Sequence, residues 1–162
     1  MSAGIKKKDL IVKLYELTKI KESEMKKASK DAQDRANEAE GAMQSRYDTF
    51  KEEGQNLAGG LKIRHKELEA SLSIIKEILQ EKNFPDHDNV NIYSYIEVEF
   101  EDSKKGEYFM APVMGGEKLD ENISIITPHS PIGKSLMGKE EGEEFKYFVG
   151  NVKKKGEIIT LQ

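Results

Sequence analysis

All four prolines of this 162-residue chain lie at or after Pro85. Proline fixes φ and lacks the N–H that a helix interior uses, so the stretch before Pro85 is free to run as long helices. Helix formers dominate there, and apolar residues recur at three- and four-residue steps. Leu10, Leu14 and Leu17 begin one stripe; Met25, Ala28, Ala32, Ala36, Ala39 and Met43 continue it after a polar gap. A second stripe runs through Phe50, Gly54, Leu57, Leu61, Arg64, Leu68, Leu72, Ile75 and Leu79. The spacing is that of a coiled coil with a slip near Leu68–Leu72. Two stripes with one break around Gly41–Ser45 predict an antiparallel coiled-coil hairpin over residues 1–84, helical from near Ile5 to near Glu81. Each arm of about 36 residues would measure roughly 54 Å.

The middle of the predicted seam sets Ala28, Ala32, Ala36 and Ala39 against Gly54, Ala58, Gly59 and Gly60. Small residues predict a slender rod with little buried area. A helical glycine costs about 0.5–1 kcal/mol relative to alanine, so either close packing compensates or the second helix bends near Gly59–Gly60. An oligomerisation stalk is the plain account of such a hairpin. Large apolar knobs are scarce at its distal end, which suits a rod that reaches into a narrow space.

At the predicted tip, Ser45-Arg46-Tyr47-Asp48 reads as a capping box, Ser45 at the N-cap and Asp48 at N3. Glu38, Glu40 and Asp48 gather carboxylates near the turn, with Gln44, Arg46 and Tyr47 beside them. Two accounts stay open. The carboxylates favour the positive end of a helix dipole, or they are delivered to a metal centre elsewhere. Mg²⁺ takes few protein carboxylates and keeps several waters, so a donated oxygen can complete its shell.

Charged residues make up 35% and hydrophobic residues 36%, which argues against one globule with a large core. The net charge of −4 is too mild to make nucleic acid the main partner. It is unevenly placed: 17 Lys/Arg against 15 Asp/Glu up to Phe84, then 9 against 15 from Pro85 onward. No cysteine is present, which excludes disulfides and thiolate-bound metal and fits a reducing compartment. No apolar run approaches the roughly 18–20 residues of a membrane span. The basic cluster Lys6-Lys7-Lys8 is not followed by a secretion signal, so a cytoplasmic protein is expected.

From Pro85 the pattern changes. Asp86-His87-Asp88 is adjacent in sequence and converges poorly on one ion, so it reads as a solvated linker. His65 reads as a surface residue, and His129 has no evident acid or nucleophile partner. Strands are predicted over 94–100, with Ile96, Val98 and Phe100 inward, over 107–113, and over 123–127. A terminal hairpin is predicted from 144–149 and 157–161, joined across Gly150–Gly156. Between them, Ser130 suits an N-cap and Pro131 the first helical position. Ile132 and Leu136 share one face, and Gly138 suits a left-handed C′ residue. Residues 85–162 therefore predict a small α+β domain.

The hairpin, Ile123-Ser124-Ile125, the run Ser130-Pro131-Ile132-Gly133-Lys134-Ser135-Leu136-Met137-Gly138-Lys139 and Gly142-Glu143 together resemble the Gre family of bacterial transcript-cleavage factors. The resemblance spans nearly the whole chain in architecture and is concentrated in the Ser130–Lys139 helix. It implies an FKBP-like C-terminal domain that docks on bacterial RNA polymerase, using Ser130, Pro131, Ile132, Gly133, Lys134, Leu136 and Gly138. It implies a coiled coil entering the polymerase secondary channel, with tip acids near the nascent RNA 3′ end. There the family's acids help hold a Mg²⁺ of the polymerase, which performs the cleavage itself. It also carries an expectation of DNA binding.

The family's tip motif has the form Asp-x-x-Glu. Here Ser45 stands for the first acid and the shorter Asp48 for the second, which leaves three readings. One is a factor that stimulates cleavage through Asp48 with Glu40 or Glu38, Asp48 being the metal-directed ligand. Another occupies the channel and inhibits or modulates transcription without cleavage. The third is an FKBP-like isomerase or chaperone on a coiled-coil stalk.

Overall fold

The computed structural model describes residues 7–38, 44–82, 84 and 86–162, with side chains described outside 36–58. Helix α1 spans Lys7–Glu38 and helix α2 spans Gln44–Glu81. At 1.5 Å per residue these are about 48 and 57 Å long. They are antiparallel: the Glu22 carboxylate of α1 meets the imidazole of His65 in α2. Glu22 lies sixteen residues before the end of α1 and His65 twenty-one after the start of α2, so only a reversal of direction brings them together. Helix α2 begins at Gln44, so Ser45 lies within its first turn and is not the residue preceding it. The first turn accepts serine because its N–H groups have no intrahelical partner.

The chain forms two compact units, Met1–Leu14 with Ile75–Gln162, and Tyr15–Ile74. Within Tyr15–Ile74, Thr18, Ser29, Ala32, Leu68 and Ser71 are buried. Glu22 and Met25 lie half-buried between Thr18 and Ser29, so α1 turns residues 18, 22, 25, 29 and 32 inward at steps of four and three. In α2, Leu61, His65, Leu68 and Leu72 keep the same rhythm. The phase of the α2 stripe differs from the predicted one at one position. Arg64 is exposed, and His65 takes the inward position. Gly59 and Gly60 are also exposed, with open space where a Cβ would sit, so close packing is not what compensates for them. Ala28 is exposed as well.

In the other unit a five-stranded mixed sheet has the order β3-β2-β1-β5-β4. Its strands are β1 (Tyr95–Phe100), β2 (Lys105–Met110), β3 (Ile123–Ile126), β4 (Glu144–Val149) and β5 (Val152–Leu161), with α3 (Pro131–Leu136) between β3 and β4. The chain is therefore α+β. All neighbours are antiparallel except β2 and β3, which are parallel. Val90, Ile96, Val98, Met110, Ile126, Leu136, Phe145 and Ile158 form the core on one side, with Phe100 and Ile132 packed against it. Tyr95, Phe109 and Ile125 are also fully buried, so β1 is covered on both faces and its alternation is incomplete.

The terminal hairpin is tighter than predicted. Val149 pairs with Val152 across Gly150-Asn151, and β5 starts at Val152 instead of Glu157. Gly150 has φ +59, the conformation that a glycine at the first central position of a type II′ turn supplies. Gly156 lies inside β5 because a Cβ there would stand 2.6 Å from Glu99 O and 2.9 Å from a Phe145 ring carbon.

Candidate functional site

Helix α3 is held at both ends by local chemistry. Ser130 Oγ accepts from the Gly133 N–H at 3.1 Å and donates to Thr127 O at 2.8 Å. Pro131 occupies the first turn without losing a hydrogen bond. After Met137, Gly138 has φ +80 and donates to Val90 O at 2.8 Å, while Val90 N–H donates to Lys139 O at 2.8 Å. These bonds tie the helix end to the segment before β1. Leu136 is fully buried and Ile132 packs on the same core. Gly133 is buried where a Cβ would lie 1.8 Å from Thr127 O, so only glycine fits.

The seven residues expected from the sequence to contact a partner divide by role. Gly133 and Leu136 are buried, and Ser130 and Ile132 are half-buried and engaged in capping and packing. Pro131, Lys134 and Gly138 are not buried in that core, Pro131 being exposed. Among these, the face open to a macromolecule is an apolar ring and an ammonium group.

Beside α3 lies a shallow groove of about 500 Å³ that includes Ser135 of the helix. Its walls carry Lys139, Lys146, Lys153 and Lys155 against one carboxylate, Glu144. Lys155 Nζ lies 3.5 Å from Glu144 and 3.8 Å from Glu101. The groove is therefore net positive within an acidic half of the chain. Its floor is Phe145, 2% exposed, whose ring meets Phe100 edge-on at 5.8 Å and stacks on Tyr147 at 6.2 Å. Desolvation raises the Tyr147 phenol above its usual pKa. At the end of the β4–β5 hairpin, Phe148, Val149 and Val152 are more than half exposed. Sequence reasoning misses this groove, because Lys153-Lys154-Lys155 has the character of a loop. The signal available is that lysine run.

The tip residues are placed by backbone only. Glu38 is the last residue of α1, and Ser45 and Asp48 lie in the first turns of α2. Glu40 lies outside the described residues, as do the side chains of Glu38, Ser45 and Asp48.

His65 and His87 differ from their predicted settings. His65 and its partners Glu22 and Glu69 bring three metal-competent ligand atoms within 4.8 Å of one another, the one such group among the described residues. His87 is no solvated linker residue: its Nδ1 lies 2.6 Å from Ser94 Oγ and 3.3 Å from Lys7 Nζ. Burial, then the Lys7 charge, push its pKa below the usual imidazole value, and Asp86 opposes them. His129 is not buried. Among the described residues, no helix is long and apolar enough to cross a membrane.

Residues 85–162 match the family model described as transcription elongation factor, GreA/GreB, C-terminal. No curated protein matches the chain by sequence. Among solved structures, the chain is similar to GreA factor homolog 1 (Gfh1) of Thermus thermophilus, at 17% identity over 91% of this chain and 94% of that one, with a TM-score of 0.38. It is similar to Thermus aquaticus Gfh1 at 17% identity, over 86% and 92% of the two chains, with a TM-score of 0.40. A GreA/GreB elongation factor from Nitrosomonas europaea matches at 17% identity, over 50% and 65%, with a TM-score of 0.37. The family match covers the sheet, α3 and both of its caps, so residues 85–162 form a C-terminal domain of the GreA/GreB transcription elongation factor kind.

Proposed function

We propose that this chain binds RNA polymerase, inserts the tip of its helical hairpin into the secondary channel and acts there on paused or backtracked complexes. The observation that carries this reading is the GreA/GreB match over residues 85–162, which falls on a domain whose α3 presents Pro131 and Lys134 beside a lysine-lined groove. Residues 85–162 are then the FKBP-like docking domain and residues 1–84 the inserting hairpin. A net-positive groove suits an acidic surface on the partner. DNA is contacted only as part of the polymerase complex, and the site of action is the cytoplasm.

The tip determines the consequence of docking. Carboxylate oxygens suit Mg²⁺, so Asp48 with Glu40 or Glu38 is the donor set for a metal held by the polymerase. When bound, that metal supplies the chemistry of RNA cleavage; the chain supplies oxygens near the RNA 3′ end and has no hydrolytic activity of its own. Ser45 favours a second reading, a factor that occupies the channel without promoting cleavage. A neutral hydroxyl replaces an acid there and removes one charged ligand. The lysine lining beside α3 disfavours the isomerase alternative, which calls for an apolar, aromatic-lined proline pocket.

A stalled, backtracked elongation complex tests the reading. RNA shortening that requires Mg²⁺ and disappears in Asp48→Ala supports cleavage. Binding with slowed synthesis and no shortening supports the channel-occupying regulator. Absence of polymerase binding would sink both.

A further inference from the structure

We propose that Glu22, His65 and Glu69 form a site for a transition-metal dication of the Zn²⁺ class, bridging α1 and α2. The ligands come from two helices of the unit Tyr15–Ile74. His65 and Glu69 are four apart and share one face of α2, and Glu22 faces them from α1. His65 Nε2 is bonded to Glu22 Oε1 and lies 3.8 Å from Glu69 Oε1. Ligand atoms around a tetrahedral ion with bonds of roughly 2.0–2.1 Å stand about 3.4 Å apart, so small rotamer changes close the set.

Three further features favour a metal over a simple ion pair. Two carboxylates and a neutral imidazole balance a dication, whereas protonated His65 between them leaves a net charge of −1. The imidazole selects a transition metal over Mg²⁺ or Ca²⁺, which prefer oxygen. The set is also graded in exposure: the His65 and Glu22 side chains are 16% and 19% exposed, and Glu69 is 56% exposed. The two half-buried ligands define the position, and the open flank gives an entry path and room for water as fourth ligand. The location has structural meaning too. Glu22 interrupts the apolar stripe of α1 and His65 takes an inward position of α2, so a metal here staples the helices in one register.

The test is calorimetric titration of the chelator-treated full chain with Zn²⁺, and with Co²⁺ followed by visible absorption. One equivalent is expected. His65→Ala should abolish the site. Glu69→Gln, on the exposed flank, should weaken it at least about tenfold, since even outer-shell changes cost that much. His129→Ala should leave it unchanged. Zn²⁺ should also raise the helical melting temperature of the wild type but not of Glu69→Gln. If His65→Ala loses its helical signal, Glu69→Gln decides alone. Stoichiometric binding that survives both substitutions, or no binding by the wild type, overturns the proposal and leaves an ion pair.

Discussion

Replacing Gly133 by alanine tests whether α3 is held by a clash-limited contact. The new Cβ would stand 1.8 Å from Thr127 O and 2.8 Å from Ser130 Oγ. Carbon–oxygen contacts normally keep roughly 3.3 Å or more, so about 1.5 Å must be recovered by moving backbone. Thr127 O is not free to move, because it accepts from Ser130 N at 3.1 Å and Ser130 Oγ at 2.8 Å. Two hydrogen bonds at about 0.5–1.5 kcal/mol each, and an N-cap at about 0.5–2 kcal/mol, are at stake. The expected destabilisation is therefore about 1.5–5 kcal/mol. Urea unfolding followed by tyrosine fluorescence reads it as an earlier midpoint for the C-terminal transition. Gly138→Ala serves as comparison: space is open there, and only the left-handed backbone at φ +80 resists, at about 1–2 kcal/mol. A Gly133→Ala protein within about 0.5 kcal/mol of wild type would refute the packing account.

The same geometry gives other expected outcomes. Gly59→Ala should stabilise α2 by about 0.5–1 kcal/mol, since nothing lies near its Cβ position and the helix gains a better former; a loss in thermal melts would show an unseen contact. Leu136→Ala, in the centre of the core, should cost about 2–5 kcal/mol, read by the same urea titration. His87 should make stability pH-dependent. Its folded pKa lies below the unfolded value of 6.5, so its contribution is present above that pH and is lost as pH falls toward the folded pKa. Protonating Nδ1 would end its acceptance from Ser94 and Lys7 and place a cation beside Lys7. His87→Ala should flatten that part of the stability–pH curve, and an unchanged slope would contradict the assignment.

Legibility in the sequence tracks how local each determinant is. The Ser130 cap, Pro131 in the first turn and the Gly138 exit are chemistry within nine residues, and all three stand in the structure. The break between the long helices is visible as two apolar stripes. Their phase is not, because Arg64 and His65 are adjacent and neither is apolar. Packing across from Glu22, 43 residues away, decides which one turns inward. The start of β5 is hidden because Val152-Lys153-Lys154-Lys155 has the composition of a loop. It becomes strand by pairing with Tyr147, Phe148 and Val149. Parallel pairing of β2 with β3 leaves no local mark at all. The candidate docking groove combines both cases: its helix is legible, and its lysine wall depends on a register that only the folded hairpin creates.

Docking of this chain on RNA polymerase through its C-terminal domain is read by a binding isotherm of labelled full-length protein against bacterial RNA polymerase core. Saturable one-to-one binding is predicted, weakened by rising salt and by the charge reversal Lys134→Glu, while circular dichroism shows the fold unchanged. Absence of saturable binding, or binding indifferent to Lys134→Glu and to salt, would contradict it.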